Sequence, residues 1–292
     1  TAPVSEWLGS HVYAALGIPV HETVLGIRDG RIVCACRDFT FPDSRLVNFH
    51  DLKNSLSDDE PGFTEDASTG SGVVLADVRS AIHRIPVLRS IDGVSDRFWD
   101  MFVVDAFIRN IDRNNTNWGV LRNPRGEFSL APVYDNGNSF NNKRTDSGIE
   151  RRLANPDLIR QDALDVRSCY VTDRGKPIAP LKYLASGQDE ECTKALDRFM
   201  ERYDPRSFHD LLGSIPSMSH GLTVVPDGFH EYHRRVCDYR YEHAFMEAWR
   251  DLHPTVGVPS SPEASVPEPL PDPDPSVLPS SSVPTCFDGP GM

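Results

Sequence analysis

Residues 100–140 read DMFVVDAFIRNIDRNNTNWGVLRNPRGEFSLAPVYDNGNSF, and the fold turns on how this stretch is parsed. Phe98, Phe102, Val103, Ala106 and Phe107 recur at helical spacing, which predicts a helix with one buried face, capped at Ser95. The pattern then breaks into the polar run Asn110-Ile111-Asp112-Arg113-Asn114-Asn115-Thr116-Asn117. Residues 118–121 and 128–131 flank the turn signal Asn123-Pro124-Arg125-Gly126, so they predict a hairpin. The stretch closes on Tyr134-Asp135-Asn136-Gly137, a second acidic turn. Asp112 and Asn117 thus stand at the entrance of a short hairpin and Asp135 at its exit, and antiparallel pairing sets entrance and exit side by side.

Working outward, residues 4–16 carry Val4, Leu8, Val12, Ala15 and Leu16 on one side of a helix, stopped by Gly17 and Pro19. Glu6 is expected in the first turn of that helix, where a carboxylate suits the dipole. Residues 22–27 and 31–36 predict two strands joined at Asp29-Gly30, with Arg37-Asp38-Phe39 at the exit. Residues 40–70 are polar and read as a mobile connection with a short helix near 46–56. Residues 73–84 predict a helix. Beyond Phe140 the pattern is helical to about Leu252, most clearly over 189–203 and 227–252. From Pro254 the chain is Pro, Ser, Val and acids with no Lys or Arg, a composition that predicts disorder.

The whole chain has 292 residues, 39% apolar and 9% aromatic, enough for a sizeable core. A net charge of −13 argues against direct nucleic-acid binding, which needs clustered Lys and Arg. Six cysteines with no C-x-x-C pair predict reduced thiols in a cytoplasmic protein, since a core of this size needs no disulfides. No apolar run is long enough to span a bilayer and no signal peptide is read. The first residue is Thr1, so a processed or trimmed chain is expected.

Phosphoryl transfer in line needs a group that accepts or orients a hydroxyl, and oxygen ligands that hold Mg²⁺ against the phosphates. Asp112 is the candidate base. Asn117, five residues on, offers an amide oxygen to the metal, and Asp135 is the candidate bridging carboxylate. Asp and Asn are also ordinary turn formers; their order, with a helix before and a hairpin between, is what favours chemistry. An EF-hand fails, because the Gly and Glu it requires fall on Asn117 and Asn123. His230-Glu231-Tyr232-His233 lacks the one-turn spacing of a zinc helix and reads as a solvated face.

IDRNNTNWG at 111–119 and LAPVYDNGNS at 130–139 resemble the HipA family of serine/threonine protein kinases, closest to its compact branch. SEWLGSHVYAALGIPVHETVLG and VCACRDF resemble that branch as well, and the likeness runs from about Pro3 to Leu252. It implies an α+β, protein-kinase-like two-lobed fold: a partial N-lobe over residues 1–39, a mainly helical C-lobe over 40–253, and the tail 254–292. It implies ATP and Mg²⁺ as cofactors and a protein as substrate. Asp112 would be the base and Asn117 and Asp135 the metal ligands. Glu6 would be the glutamate that holds an ATP-binding lysine, and Cys36 to Phe39, including Asp38, the hinge against adenine. The sequence departs from the pattern at its start: the lysine and a Gly-rich phosphate loop should precede Glu6, and residues 1–5 contain neither. An N-terminally incomplete kinase is therefore expected, with weak or no transfer by these 292 residues.

Overall fold

The computed structural model describes residues 2–57 and 72–254. The expected disorder of the tail beyond 254 and the part of the connection at 58–70 lie outside the described residues. Helix α1 (Ala2–Ala15) leads into the hairpin β1 (Thr23–Arg28) and β2 (Arg31–Cys36), antiparallel with Thr23 opposite Cys36. Strand β3 (Arg45–Asn48) runs directly into α2 (Phe49–Ser57). The expected helix near 46–56 thus loses its first residues to a strand, because Arg45 to Asn48 pair with the central hairpin. Next come β4 (Val73–Val74), α3 (Leu75–Arg84), α4 (Pro86–Arg89) and α5 (Val94–Ile108). Hairpin β5 (Gly119–Arg122) and β6 (Phe128–Leu130) follows, and β3 adds to it in the order β3-β5-β6. Gly119 is required here: a Cβ would lie 2.3 Å from the Val47 carbonyl oxygen.

The remainder is helical, with short paired strands between: α6 (Asp146–Leu153), α7 (Pro156–Leu164), β7 (Tyr170–Val171), α8 (Pro180–Ser186), α9 (Glu190–Arg202), α10 (Pro205–Gly213), β8 (Met218–Ser219) and β9 (Leu222–Thr223). The chain then runs through α11 (Phe229–Arg240), a π-helical turn at Tyr241–Phe245, and α12 (Met246–Leu252).

Helix α5 is the axis of the fold. It is buried all round, from Phe98 and Trp99 through Phe107 and Ile108, where the sequence predicts one buried face. Its aromatic flank packs edge-on: Phe98 lies 5.2 Å from Trp99 and 5.8 Å from Tyr170, and Trp118 stacks on Phe49 at 4.2 Å. Its other end, at Phe107, meets Phe199, Tyr203, Phe208 and Phe245. The cap is Gly93 in a left-handed conformation, and Ser95 donates to Glu191 instead of capping. Among the described residues five cysteines are free, and no helix is long and apolar enough to cross a membrane.

Two helix readings need correction. Helix α1 begins at Ala2, so Glu6 stands in its second turn with no acid in the first. His233 is buried, not solvated, against Phe229, Tyr232 and Phe140, while His230 is partly buried and hydrogen-bonds the Ile215 carbonyl at 2.8 Å. Helix α11 is covered by α7, α6 and α10, which a single-helix pattern does not reveal.

Candidate active site

Helix α5 ends where Arg109 turns left-handed (φ 58°) and its N–H closes on the Asp105 carbonyl. The polar loop that follows wraps around one buried side chain, Arg113, which is 1% exposed. Its guanidinium donates to Asp105 (2.9 and 3.3 Å), to the Asn117 carbonyl (2.8 Å), to the Tyr134 carbonyl, and to Asn136 Oδ1 (2.6 Å). Burial opposes that charge, but the Asp105 carboxylate outweighs it and holds the proton more tightly than in water. Tyr13 and Asn110 complete the shell of Asp105 at 2.8 and 3.2 Å. One cation thus ties the loop at 110–117 to the turn at 134–137.

That tie brings the predicted residues together. Asp112 accepts from Asn114 (2.9 Å) on one oxygen and from Asn138 (2.8 Å) on the other, and Asn138 belongs to the segment that follows Asp135. The Asn117 amide nitrogen donates 2.7 Å to the Asp112 carbonyl, which fixes the sense of the amide and leaves its oxygen beside the Thr116 hydroxyl at 3.2 Å. Asp135 adopts a left-handed conformation (φ 57°), uncommon outside glycine and a mark of a constrained position. Burial raises its carboxyl above the usual value, and the charges of Glu6 and Asp112 raise it further, against the pull of Arg113. Asp112, Glu6 and Asp135 therefore share one electrostatic neighbourhood.

Glu6 enters from α1. It accepts the Asn136 N–H and lies 2.8 Å from His21 Nε2. Burial pushes its carboxyl up, but those hydrogen bonds and the charges of His21 and Arg113 carry it below the ordinary range. His21 is placed by the backbone: its N–H donates to Val133 O, and Val133 N–H to Pro19 O, both at 2.9 Å. Gly9 lets α1 close on the turn, since a Cβ there would lie 2.7 Å from Asn136 Cβ. Cys36, at the end of β2, is exposed but within reach of Glu6 and His21. Asp38 is different. Its carboxylate is exposed, accepts the Thr40 N–H (2.9 Å) and hydroxyl (2.6 Å), and is lowered by those bonds; among the described contacts none joins it to the acidic cluster. Its neighbour Phe39 does approach, with its ring 5.6 Å from that of Tyr134.

A separate cavity of about 760 Å³ lies between β1 and residues 214–224, lined by Trp7, Leu25, Ile32, Ile215 and Val224 among others. It contains none of Asp112, Asn117 or Asp135; its mainly apolar lining also includes Ser214, Ser219 and His220.

No family model matches the chain. The serine/threonine-protein kinase CtkA of Helicobacter pylori strain J99 is 33% identical over 217 residues, 74% of this chain and 64% of that protein. The crystal structure of the Helicobacter pylori proinflammatory kinase CtkA superposes with a TM-score of 0.77 at 29% identity, over 87% of this chain and 88% of that one. The chain is similar to CtkA in both sequence and fold. It shares CtkA's kinase-like α+β fold, and the resemblance drawn from residues 111–119 and 130–139 is borne out. A Shewanella oneidensis HipA structure, a toxin–antitoxin complex with HipB and operator DNA, aligns at 14% identity with a TM-score of 0.48. The chain spans less than two thirds of the full length of the curated CtkA it matches.

The residues that sequence reasoning passes over are the ones that hold the site in shape. Arg113 follows Asp112 directly, yet its burial depends on Asp105, eight residues back on α5. Asn136, Asn138, Ser10 and His21 look like turn or surface residues. The chain from Arg113 through Asn136 and Ser10 to His21, at 2.6, 3.0 and 3.1 Å, exists only once α1 has docked.

Proposed function

We propose that this chain transfers the γ-phosphoryl group of ATP, with Mg²⁺, to serine or threonine in a protein substrate. The observation that carries the reading is the convergence of Asp112, Asn117 and Asp135 around buried Arg113. Similarity to CtkA supports it. Asp112, held by Asn114 and Asn138, orients the substrate hydroxyl and accepts its proton. Asn117 and Asp135 are the residues that would hold Mg²⁺. The donor set fits: carboxylate and amide oxygens suit this hard cation, and a raised Asp135 beside two other acids is a carboxyl that a cation would relieve. When bound, Mg²⁺ supplies neutralisation of the phosphate charge. The backbone of residues 36–39, with Asp38 fixed in its local turn, is the proposed adenine contact.

Glu6 is the proposed organiser of the phosphate side. In this chain its carboxylate pairs with His21 and not with a lysine. We propose on that basis that the 292-residue polypeptide by itself transfers slowly. The second reading, a nucleotide-binding or scaffold protein with a kinase-like fold and no transfer, is favoured by the same pair. Radiolabelled γ-phosphate transfer decides between them. Slow transfer to serine or threonine that Asp112→Ala and Asp135→Ala abolish supports the kinase. Transfer untouched by Asp135→Ala removes the metal role, and Mg²⁺-dependent ATP binding with no transfer supports the scaffold. Brisk, Asp112-dependent transfer overturns the slow-turnover reading.

A further inference from the structure

Glu6, His21 and Cys36 come from three separate elements: α1, the segment after it, and the end of β2. A carboxylate oxygen, a ring nitrogen and Sγ from these residues all lie within 4.8 Å of one another. Ligands about 2.0–2.3 Å from a tetrahedral zinc ion stand about 3.3–3.7 Å apart, so small side-chain adjustments suffice to close three of them on one ion. The mixed donors exclude Mg²⁺ as the natural occupant. Thiolate and imidazole suit a borderline-soft ion such as Zn²⁺ and do not suit a hard oxygen-seeking one.

The surroundings have the form of a metal site's supporting shell. Glu6 accepts the Asn136 N–H, which orients its carboxylate. Ser10 Oγ, held by Asn136 at 3.0 Å, lies 3.1 Å from His21 Nε2, the nitrogen that also faces Glu6, and yields that place to an ion. The trio also grades from buried His21 through half-buried Glu6 to exposed Cys36. Solvent therefore reaches the trio from the Cys36 side.

We propose that Glu6, His21 and Cys36 form a three-ligand site for Zn²⁺, distinct from the oxygen cluster of Asp112, Asn117 and Asp135. The ion displaces the proton between His21 Nε2 and Glu6 and binds the Cys36 sulfur as thiolate, and both protons leave to solvent. Two of its ligands, Glu6 and Cys36, also stand among the residues proposed to face ATP, so no nucleotide enters its test.

The experiment titrates the metal-free 292-residue chain with Zn²⁺ against a chromophoric chelator in millimolar Mg²⁺, and with Co²⁺ as the spectroscopic probe. The expected result is one ion per chain that Mg²⁺ does not displace, with a thiolate-to-cobalt absorption band. Cys36→Ser, at an exposed position that leaves folding intact, should remove the band and weaken Zn²⁺ binding roughly tenfold or more. His21→Gln should weaken it comparably, with the fold checked by circular dichroism, whereas Cys34→Ser and Asp112→Asn should retain both band and affinity. A band that persists in Cys36→Ser, binding lost in Asp112→Asn, displacement by Mg²⁺, or no binding at all would each overturn the proposal.

Discussion

Arg113 and Asp105 form a two-pronged ion pair, Nε to Oδ2 at 2.9 Å and Nη2 to Oδ1 at 3.3 Å, with the residues 1% and 5% exposed. A pair this deep gains little over an apolar substitute, but breaking one side leaves a buried charge unpaired, at about 3–5 kcal/mol. Arg113→Met should therefore lower unfolding free energy by about that amount. Asp105→Asn in the same chain should recover part of the loss, because the stranded carboxylate is gone. Urea midpoints of the two single variants and the double test this. Strictly additive losses would show that the two side chains do not act as a unit.

Asp135 carries the opposite sign. Its carboxyl is raised by burial and by Glu6 and Asp112, so its ionised form is disfavoured in the fold. A group of this kind contributes stability below its unfolded pKa and loses it as pH rises through the folded value. At neutral pH the ionised side chain therefore weakens the metal-free protein. Asparagine tolerates the same left-handed backbone, so Asp135→Asn should raise the metal-free Tm by roughly 1–3 °C. The same variant should lose the Tm gain that Mg²⁺ gives the parent by binding the native state. Thermal scans with and without Mg²⁺ read both effects. A lower metal-free Tm would count against the electrostatic account.

His233 sets a pH dependence outside the site. Burial first, and then the charges of Arg240, Arg144 and His230, push its imidazole down to about 3 from 6.5. Between those values the unfolded chain binds a proton that the fold refuses, so stability is intact above 6.5 and declines as pH falls toward 3. The slope is at most about 1.4 kcal/mol per pH unit. His233→Gln has no proton to refuse, so its Tm should fall less between pH 7 and pH 5 than the parent's. Equal falls in the two proteins would remove His233 as the cause.

The same residue shows where sequence reading stops. The α1 stripe, the β1–β2 hairpin, the loop at 110–117 and the hairpin after it are local patterns, and the structure follows them to within a residue or two. The candidate residues Asp112, Asn117 and Asp135 could be named together for the same reason, since they lie on one continuous stretch. What was not legible depends on contacts across the chain. His233 is buried because α7 and α10 cover α11; Gly93 displaces Ser95 as cap because Ser95 is drawn to Glu191, 96 residues away. Arg45 to Asn48 extend because a strand more than 70 positions later pairs with them. Arg113 follows the same logic, since its burial is decided by Asp105 and Asn136 together.

Gly9 joins the fold to the site. In a helix interior alanine is favoured over glycine by about 1 kcal/mol, so propensity alone predicts that Gly9→Ala stabilises α1. The added Cβ, however, would stand 2.7 Å from Asn136 Cβ and 3.3 Å from Ser139 Oγ. Asn136 has little room to yield, because its side chain is held by Arg113 and Ser10 and its N–H by Glu6. Overpacking of this kind costs about 1–3 kcal/mol, which outweighs the propensity gain. Gly9→Ala should therefore lower the Tm by a few degrees, and by tilting α1 away from the turn at 135–137 it should weaken Mg²⁺-dependent ATP binding by roughly tenfold or more. Gly119→Ala is the control, since its clash is with Val47 and Asn48 on the β3 side: it should destabilise at least as much without a direct effect on Asn136. If Gly9→Ala stabilises the protein and leaves ATP binding unchanged, α1 does not position the Asp135 turn, and Glu6 has no part in the site.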